Sequence, residues 1–163
     1  MGFLTALAVL VSQRTSPWTI AKGISWSILP LVAGLFVLVE GLNRTGVVAL
    51  LAHAIQSAGS SLPATAVVGG VIAFGSNVIN NLPAGLIARS VLQAAHAAHP
   101  LIDSVLIGVD LGPNLSVTGS LATILWLSAI RHEGEDVSFG RFLRTGLVVM
   151  PPALILALAI RLI

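Results

Sequence analysis

Gly75-Ser76-Asn77-Val78-Ile79-Asn80-Asn81-Leu82-Pro83 is a polar stretch, bounded by Gly and Pro, set inside an apolar sequence. Ala64 to Phe74 precedes it with almost nothing polar, and Ala84 to Ala95 follows with Arg89, Ser90 and Gln93 as its strongly polar residues. Three amides, a hydroxyl and a helix break at membrane depth are costly unless they face protein or water. Such a cluster inside a membrane marks a functional site by default. Gly75 suits the C-terminal cap of a first helix, and Asn81 the N-cap of a second whose first turn holds Pro83. Each arm then covers about half a bilayer. The pattern predicts a re-entrant hairpin over residues 64–95 with its polar tip near the midplane. The alternative is one long span over 64–92 kinked at Pro83, longer than the ~20 residues that crossing requires.

Composition places this stretch in a membrane protein. Of 163 residues, 56% are hydrophobic and 9% charged, with a mean hydropathy of +1.00. Soluble domains carry about 25% charged residues. Eight Lys and Arg against six Asp and Glu leave a net charge of +2, too little for a nucleic-acid footprint. There is no Cys, which excludes disulfides and thiolate metal sites. Long apolar runs without strand alternation favour helices over a barrel.

Outward from the tip, Met1 to Val11 is an apolar run of about 16 Å as helix. It lacks a basic leader and a cleavage site, and suggests a chain that begins inside a longer membrane protein. Residues 12–22 form a polar loop with Arg14 and Lys22. Ile24 to Leu42 is a full span, with Pro30 as a kink and Glu40 in its last turn as an interfacial carboxylate or ion carrier. Asn43-Arg44-Thr45-Gly46 breaks the helix. Val47 to Ala58 is too short to cross and suits the interfacial plane, with His53 and Gln56 one turn apart. Residues 59–63 are a turn. His96 to Pro100 reads as a solvated loop, in which His96 and His99 are at best a weak metal pair.

Leu101 to Val109 begins a helix that Asp110-Leu111-Gly112-Pro113-Asn114 interrupts, and apolar sequence resumes from Leu115 to Ile130. A 30-residue span with a break in its first half is the pattern of a discontinuous transmembrane helix over 101–130. The alternative is a loop that reaches the surface at 110–114. Residues 131–144 carry the densest charge and read as a water-exposed connection. Phe142 to Ile160 is the last span, kinked by Pro151-Pro152. If the hairpin is re-entrant, Arg14, Lys22, Arg131, Arg141 and Arg144 share one face, against Arg44, Arg89 and Arg161 on the other. The positive-inside rule puts the first group in the cytoplasm.

A hairpin followed by a broken helix is half of an inverted-repeat transporter. The 75–83 stretch, Asp110-Leu111-Gly112-Pro113-Asn114, Gly119-Ser120-Leu121-Ala122-Thr123-Ile124-Leu125-Trp126 and Gly34-Leu35-Phe36-Val37-Leu38-Val39-Glu40-Gly41-Leu42 resemble the arsenite/antimonite efflux permeases of the ion transporter superfamily. The resemblance covers essentially the whole chain, at the position of the family's C-terminal half. It implies an all-α membrane protein, one half of an inverted-repeat transporter, in the inner (plasma) membrane. It implies a secondary transporter rather than an enzyme, with no cofactor or resident metal, exporting arsenite or antimonite in exchange for protons. Some members couple to a soluble ATPase. Asn amides, which both donate and accept, suit a neutral hydroxylated solute. By the match, Ser76, Asn77, Asn80 and Asn81 lie at one tip, and Gly112, Asn114, Thr118 and Ser120 lie around the opposing break. Asp110 is the candidate proton carrier, because desolvation favours the protonated carboxyl; otherwise it caps backbone N–H groups and stays ionised.

The family has two such halves, and this chain supplies one hairpin and one broken helix. Its expected partner is an N-terminal half or a second copy. Two other readings stand beside this one: a piece of a related sodium-coupled anion carrier or sodium/proton antiporter, and a non-transporting membrane remnant. Val78, where the carboxylate carriers have Thr after Ser-Asn, leans against the former.

Overall fold

The computed structural model describes Trp18, Trp26, residues 28–59 and residues 61–162, and the regular elements among them are all helical. The N-terminal run, the 12–22 loop and the start of the first span fall largely outside the described residues. In chain order the elements are α1 (Ile28–Arg44), α2 (Val47–Ala58), α3 (Leu62–Ile79), α4 (Asn81–Ala94), α5 (His99–Leu111), two 3₁₀ turns at Gly112–Leu115 and Val117–Gly119, α6 (Leu121–His132) and α7 (Phe139–Leu162). Two compact units divide the chain at residues 34 and 35. The second, residues 35–163, contains both interruptions and the helices that support them.

Between apolar helices in lipid there is little hydrophobic drive, so close approach and hydrogen bonds decide packing. Small residues recur four apart along α3: Thr65, Gly69 and Ala73, all buried. On α5 the matching row is Ser104 and Gly108, with Gly112 just beyond the helix end. These rows meet backbone to backbone. A Cβ added at Gly69 would lie 2.7 Å from the Ser104 carbonyl oxygen; one at Gly108 would overlap the Gly69 carbonyl, and one at Gly112 the Ala73 carbonyl. A third row on α7, Gly146, Met150, Leu154 and Leu158, is buried. Its three larger residues pack with Ala73 and Leu115 in one cluster. Bare Gly146 admits the Asn114 and Leu115 carbonyls, each of which would be 2.7 Å from a Cβ there.

The chain folds back at Asn80. Val68 and Ile72 of α3 pack in the same cluster as Ala88 and Leu92 of α4, at comparable distances along the chain from the turn. α2 lies along α4 through Ala52, Val91 and Ala95, and Gln56 Nε2 donates to the Ala95 carbonyl at 3.3 Å. Arg161 near the end of α7 pairs with Asp103 in the first turns of α5. The outward faces stay apolar: Val67, Val71, Val78, Val148 and Ile155 are all well exposed. By length and composition α3 and Phe139–Arg161 can each cross a membrane, and α1 with α2, bent by 68°, qualify as a pair.

Three expected boundaries are corrected. Gly75 caps nothing, because α3 runs through Ser76 and Asn77 to Ile79. At 18 residues this arm is long enough to cross, not half a span. The N-cap of α4 is Asn80, whose side chain accepts from the Leu82 N–H, and not Asn81. The break in the second motif begins at Gly112, leaving Asp110 within α5. A common physical reason covers the first of these. Ser and Asn in an apolar helix satisfy themselves on carbonyls three and four residues back, so polar residues at depth do not require irregular backbone.

Gly108→Ala should lower stability by about 1–3 kcal/mol through overpacking against α3. Gly70→Ala, on the open side of α3 with nothing within 4 Å of an added Cβ, should be neutral or slightly stabilising. Thermal unfolding in detergent micelles measures both; equal effects would contradict the backbone contact.

Candidate functional site: the hairpin tip against the broken helix

Asn77 sits in the last turns of α3, facing the first 3₁₀ turn of the break. Its Nδ2 donates to two carbonyls, Ala73 on its own helix at 2.9 Å and Gly112 at 2.8 Å. Its Oδ1 accepts from Ser116 Oγ at 2.9 Å. The Gly112 carbonyl is available because α5 stops there, and the terminal carbonyls of a helix have no partner within it. Gly119 is bare beside the amide: a Cβ there would lie 2.8 Å from Asn77 Oδ1 and 2.6 Å from the Pro113 carbonyl. Ser76, fully buried, turns inward and donates to the Ala73 carbonyl at 2.8 Å.

The second layer of contacts joins the turn to the 3₁₀ segment. Thr118 Oγ1 donates to the Asn77 carbonyl at 3.2 Å and lies 3.2 Å from Ser116 Oγ. Two hydroxyl hydrogens therefore serve three contacts, since each hydroxyl donates once. Asn80 Nδ2 donates to the Thr118 carbonyl at 3.1 Å, and its Oδ1 accepts from Leu82 N–H at 3.2 Å. Asn80 has φ 71° and ψ 148°, a conformation that L-residues rarely adopt and that costs on the order of 1–3 kcal/mol. One residue reverses the chain between two helices, and its side chain holds both sides of the turn.

Of the residues singled out in sequence, the structure brings together Ser76, Asn77, Asn80, Gly112 and Thr118. Asn81 begins α4 partly buried and makes no side-chain hydrogen bond among the described residues. Ser120 caps α6 by accepting from Ala122 N–H at 3.2 Å, which leaves its hydroxyl hydrogen uncommitted. Asn114 stands apart. Its Nδ2 bonds back to Leu111 and Asp110 carbonyls, and the residue lines a separate cavity of about 480 Å³ with Trp126, Asp136, Arg141 and Phe142. Asp110 is exposed on the last turn of α5, and its carboxylate has no partner among the described residues; capping of backbone N–H groups is not seen.

Sequence reasoning missed Ser116 as a site residue. Its backbone is extended, at φ −134° and ψ 156°, which places two hydroxyls toward one residue, Ser116 on the Asn77 side-chain oxygen and Thr118 on its main-chain carbonyl. Alternation of hydroxyls through a break was the available signal. The arrangement is closed inward and open outward. Asn77, Gly112 and Ser116 are spent on one another and Ser76 on the Ala73 carbonyl, whereas the Asn81 side chain, the second Nδ2 hydrogen of Asn80 and the Ser120 hydroxyl hydrogen are uncommitted among the described residues. All are uncharged.

Residues 3–163 match the family model described as arsenical pump membrane protein. An arsenical pump membrane protein of Yersinia enterocolitica is 32% identical over 146 residues, covering 86% of this chain and 34% of the relative. The protein of the same name from Escherichia coli K12 is 30% identical over the same length and coverage. A protein of Mycobacterium tuberculosis named only as an uncharacterized transporter is 36% identical over 147 residues, covering 83% of this chain and 34% of its own length. The chain thus spans about a third of the length of the curated relatives it matches. No solved structure matches it. On the family match and these identities, the chain is an all-helical membrane protein that belongs to the arsenical pump membrane protein family.

Proposed function

We propose that this chain acts as the C-terminal part of a permease that exports arsenite and antimonite in exchange for protons. The observation that carries the proposal is the Asn77 fork, which fastens the hairpin tip to the broken helix and leaves uncharged amides and hydroxyls of Asn80, Asn81 and Ser120 uncommitted beside it. Trivalent arsenic hydroxide is a neutral triol, and donors paired with acceptors recognise it without the desolvation of an ion. In this reading Asn80, Asn81, Thr118 and Ser120 touch the solute, and Ser76, Asn77 and Gly112 hold them in place. Asn114 belongs to a vestibule on the α6–α7 side. The opposing wall comes from a companion half, either an N-terminal partner or a second copy, with the hairpin re-entrant in the inner membrane and the 131–144 connection in the cytoplasm. Asp110 is the proton carrier, desolvated by that companion. A soluble ATPase docking on the assembly is compatible with this arrangement, and no step in it requires one.

In an efflux-deficient host, the chain together with an N-terminal half should restore arsenite tolerance, and the chain alone should not. Absence of tolerance with both halves inserted in the membrane would overturn the proposal. In inverted vesicles of the assembled permease, Asp110→Asn should abolish proton-coupled arsenite uptake, and unchanged coupling would reject Asp110 as carrier. The two classes of tip residue should separate in the same assay. Asn77→Ala should cost about 1–3 kcal/mol of stability per buried group left unpaired, with a coupling to Ser116→Ala of about 0.5–3 kcal/mol in a double-mutant cycle. Asn81→Ala should leave unfolding unchanged and weaken arsenite uptake. Equal loss of stability in Asn77→Ala and Asn81→Ala would contradict the division between support and contact.

A further inference from the structure

Arg89 lies nine residues beyond the turn at Asn80, about 13 Å along α4. It is exposed and makes no ion pair or side-chain hydrogen bond among the described residues. Gln93 follows one turn later on α4, and His96 stands just past the helix end in a left-handed conformation; their side chains are equally without partners among the described residues. All three rim a groove of about 570 Å³ between α4 and α5. The groove is otherwise apolar. Gly85 and Ala88 form a shallow floor, and Val105 and Leu106 stand on the α5 side, which contributes no charged or polar group. Glycine at 85 sets the depth, because a Cβ there would touch Val109 at 3.4 Å.

A cation and an amide at the edge of an apolar channel, on a helix that runs from the tip toward the 95–98 turn, match an amphiphile with an anionic head. Arginine in such a place directs its charge along its own stem to the interface, where a phosphate can accept two parallel N–H bonds. A soluble anion would have no use for the channel, and a purely apolar surface would leave the guanidinium unpaired at depth. We propose that the α4–α5 groove binds an anionic phospholipid, with an acyl chain over Gly85 and Ala88 and the phosphate held by Arg89, Gln93 and His96. The lipid then packs the outer side of α4, the helix whose first residues carry the tip amides.

The test uses the purified full chain in detergent, stripped of lipid and then given equal amounts of phosphatidylglycerol or phosphatidylcholine, with retained lipid counted by mass spectrometry. Phosphatidylglycerol should be retained about fivefold over phosphatidylcholine, the preference that one arginine near an anionic head provides. Arg89→Gln should erase that preference while helicity by circular dichroism is unchanged. Ala88→Leu, which fills the floor and keeps the charge, should reduce retention of both lipids. Free glycerol phosphate should not displace the bound lipid. Equal retention of the two lipids, a preference that survives Arg89→Gln, or displacement by glycerol phosphate would overturn the proposal. So would loss of retention when an N-terminal half is added, since the groove would then be a protein interface.

Discussion

A side-chain amide packed between apolar helices has few ways to avoid a penalty of several kcal/mol, and Asn77 takes a demanding one. It donates simultaneously to a carbonyl of its own helix and to the carbonyl that α5 releases where it ends, and it accepts a hydroxyl from the extended residue beyond. The bond reaches Gly112 only because α3 and α5 approach without side chains between them, through Gly69, Gly108 and Gly112. Remove the glycines and the amide is too far away. Remove the amide and the carbonyl of Gly112 and the hydroxyl of Ser116 lose a partner in a place that water does not readily supply.

The positive φ at Asn80 follows from the same constraint. The two arms must reverse within one residue so that the Thr118 carbonyl can be reached from the tip. Strain of this kind persists only where surrounding contacts over-determine it, and here the Asn80 side chain bonds on both sides of its own turn. On the proposed reading, the tip and the break behave as a single piece, which suits rigid-body motion of one repeat against another around a fixed site.

Much of this was legible in the sequence. Charge depletion gave the membrane, and the lengths of apolar runs gave α2 to the residue and α7 to within three. The polar stretch at 75–83 and the Gly112-Pro113-Asn114 run gave both interruptions, and the family resemblance set the one opposite the other. Four features were not legible, each for a physical reason. Ser76 and Asn77 look like a break because they are polar, yet they remain helical by bonding to Ala73 behind them. Asn80 and Asn81 are equivalent as caps until the backbone angle of the turn is known. The small-residue rows were visible at 65, 69, 73 and at 104, 108, 112, but spacing alone does not say which row faces which. Asn114 carried the same amide as its neighbours and went to a different cavity, because the 3₁₀ turn rotates it toward α6 and α7.

The central feature of the site is the sharing of the Asn77 amide between the hairpin tip and the broken helix. Hydrogen exchange of side-chain amides, followed by NMR on asparagine-labelled protein in nanodiscs, addresses it directly. The Asn77 NH₂ resonances should exchange far more slowly than those of Asn81, and Ser116→Ala should accelerate them while Ser120→Ala does not. Asn77 hydrogens that exchange as fast as those of Asn81, or that ignore the loss of Ser116, would contradict it.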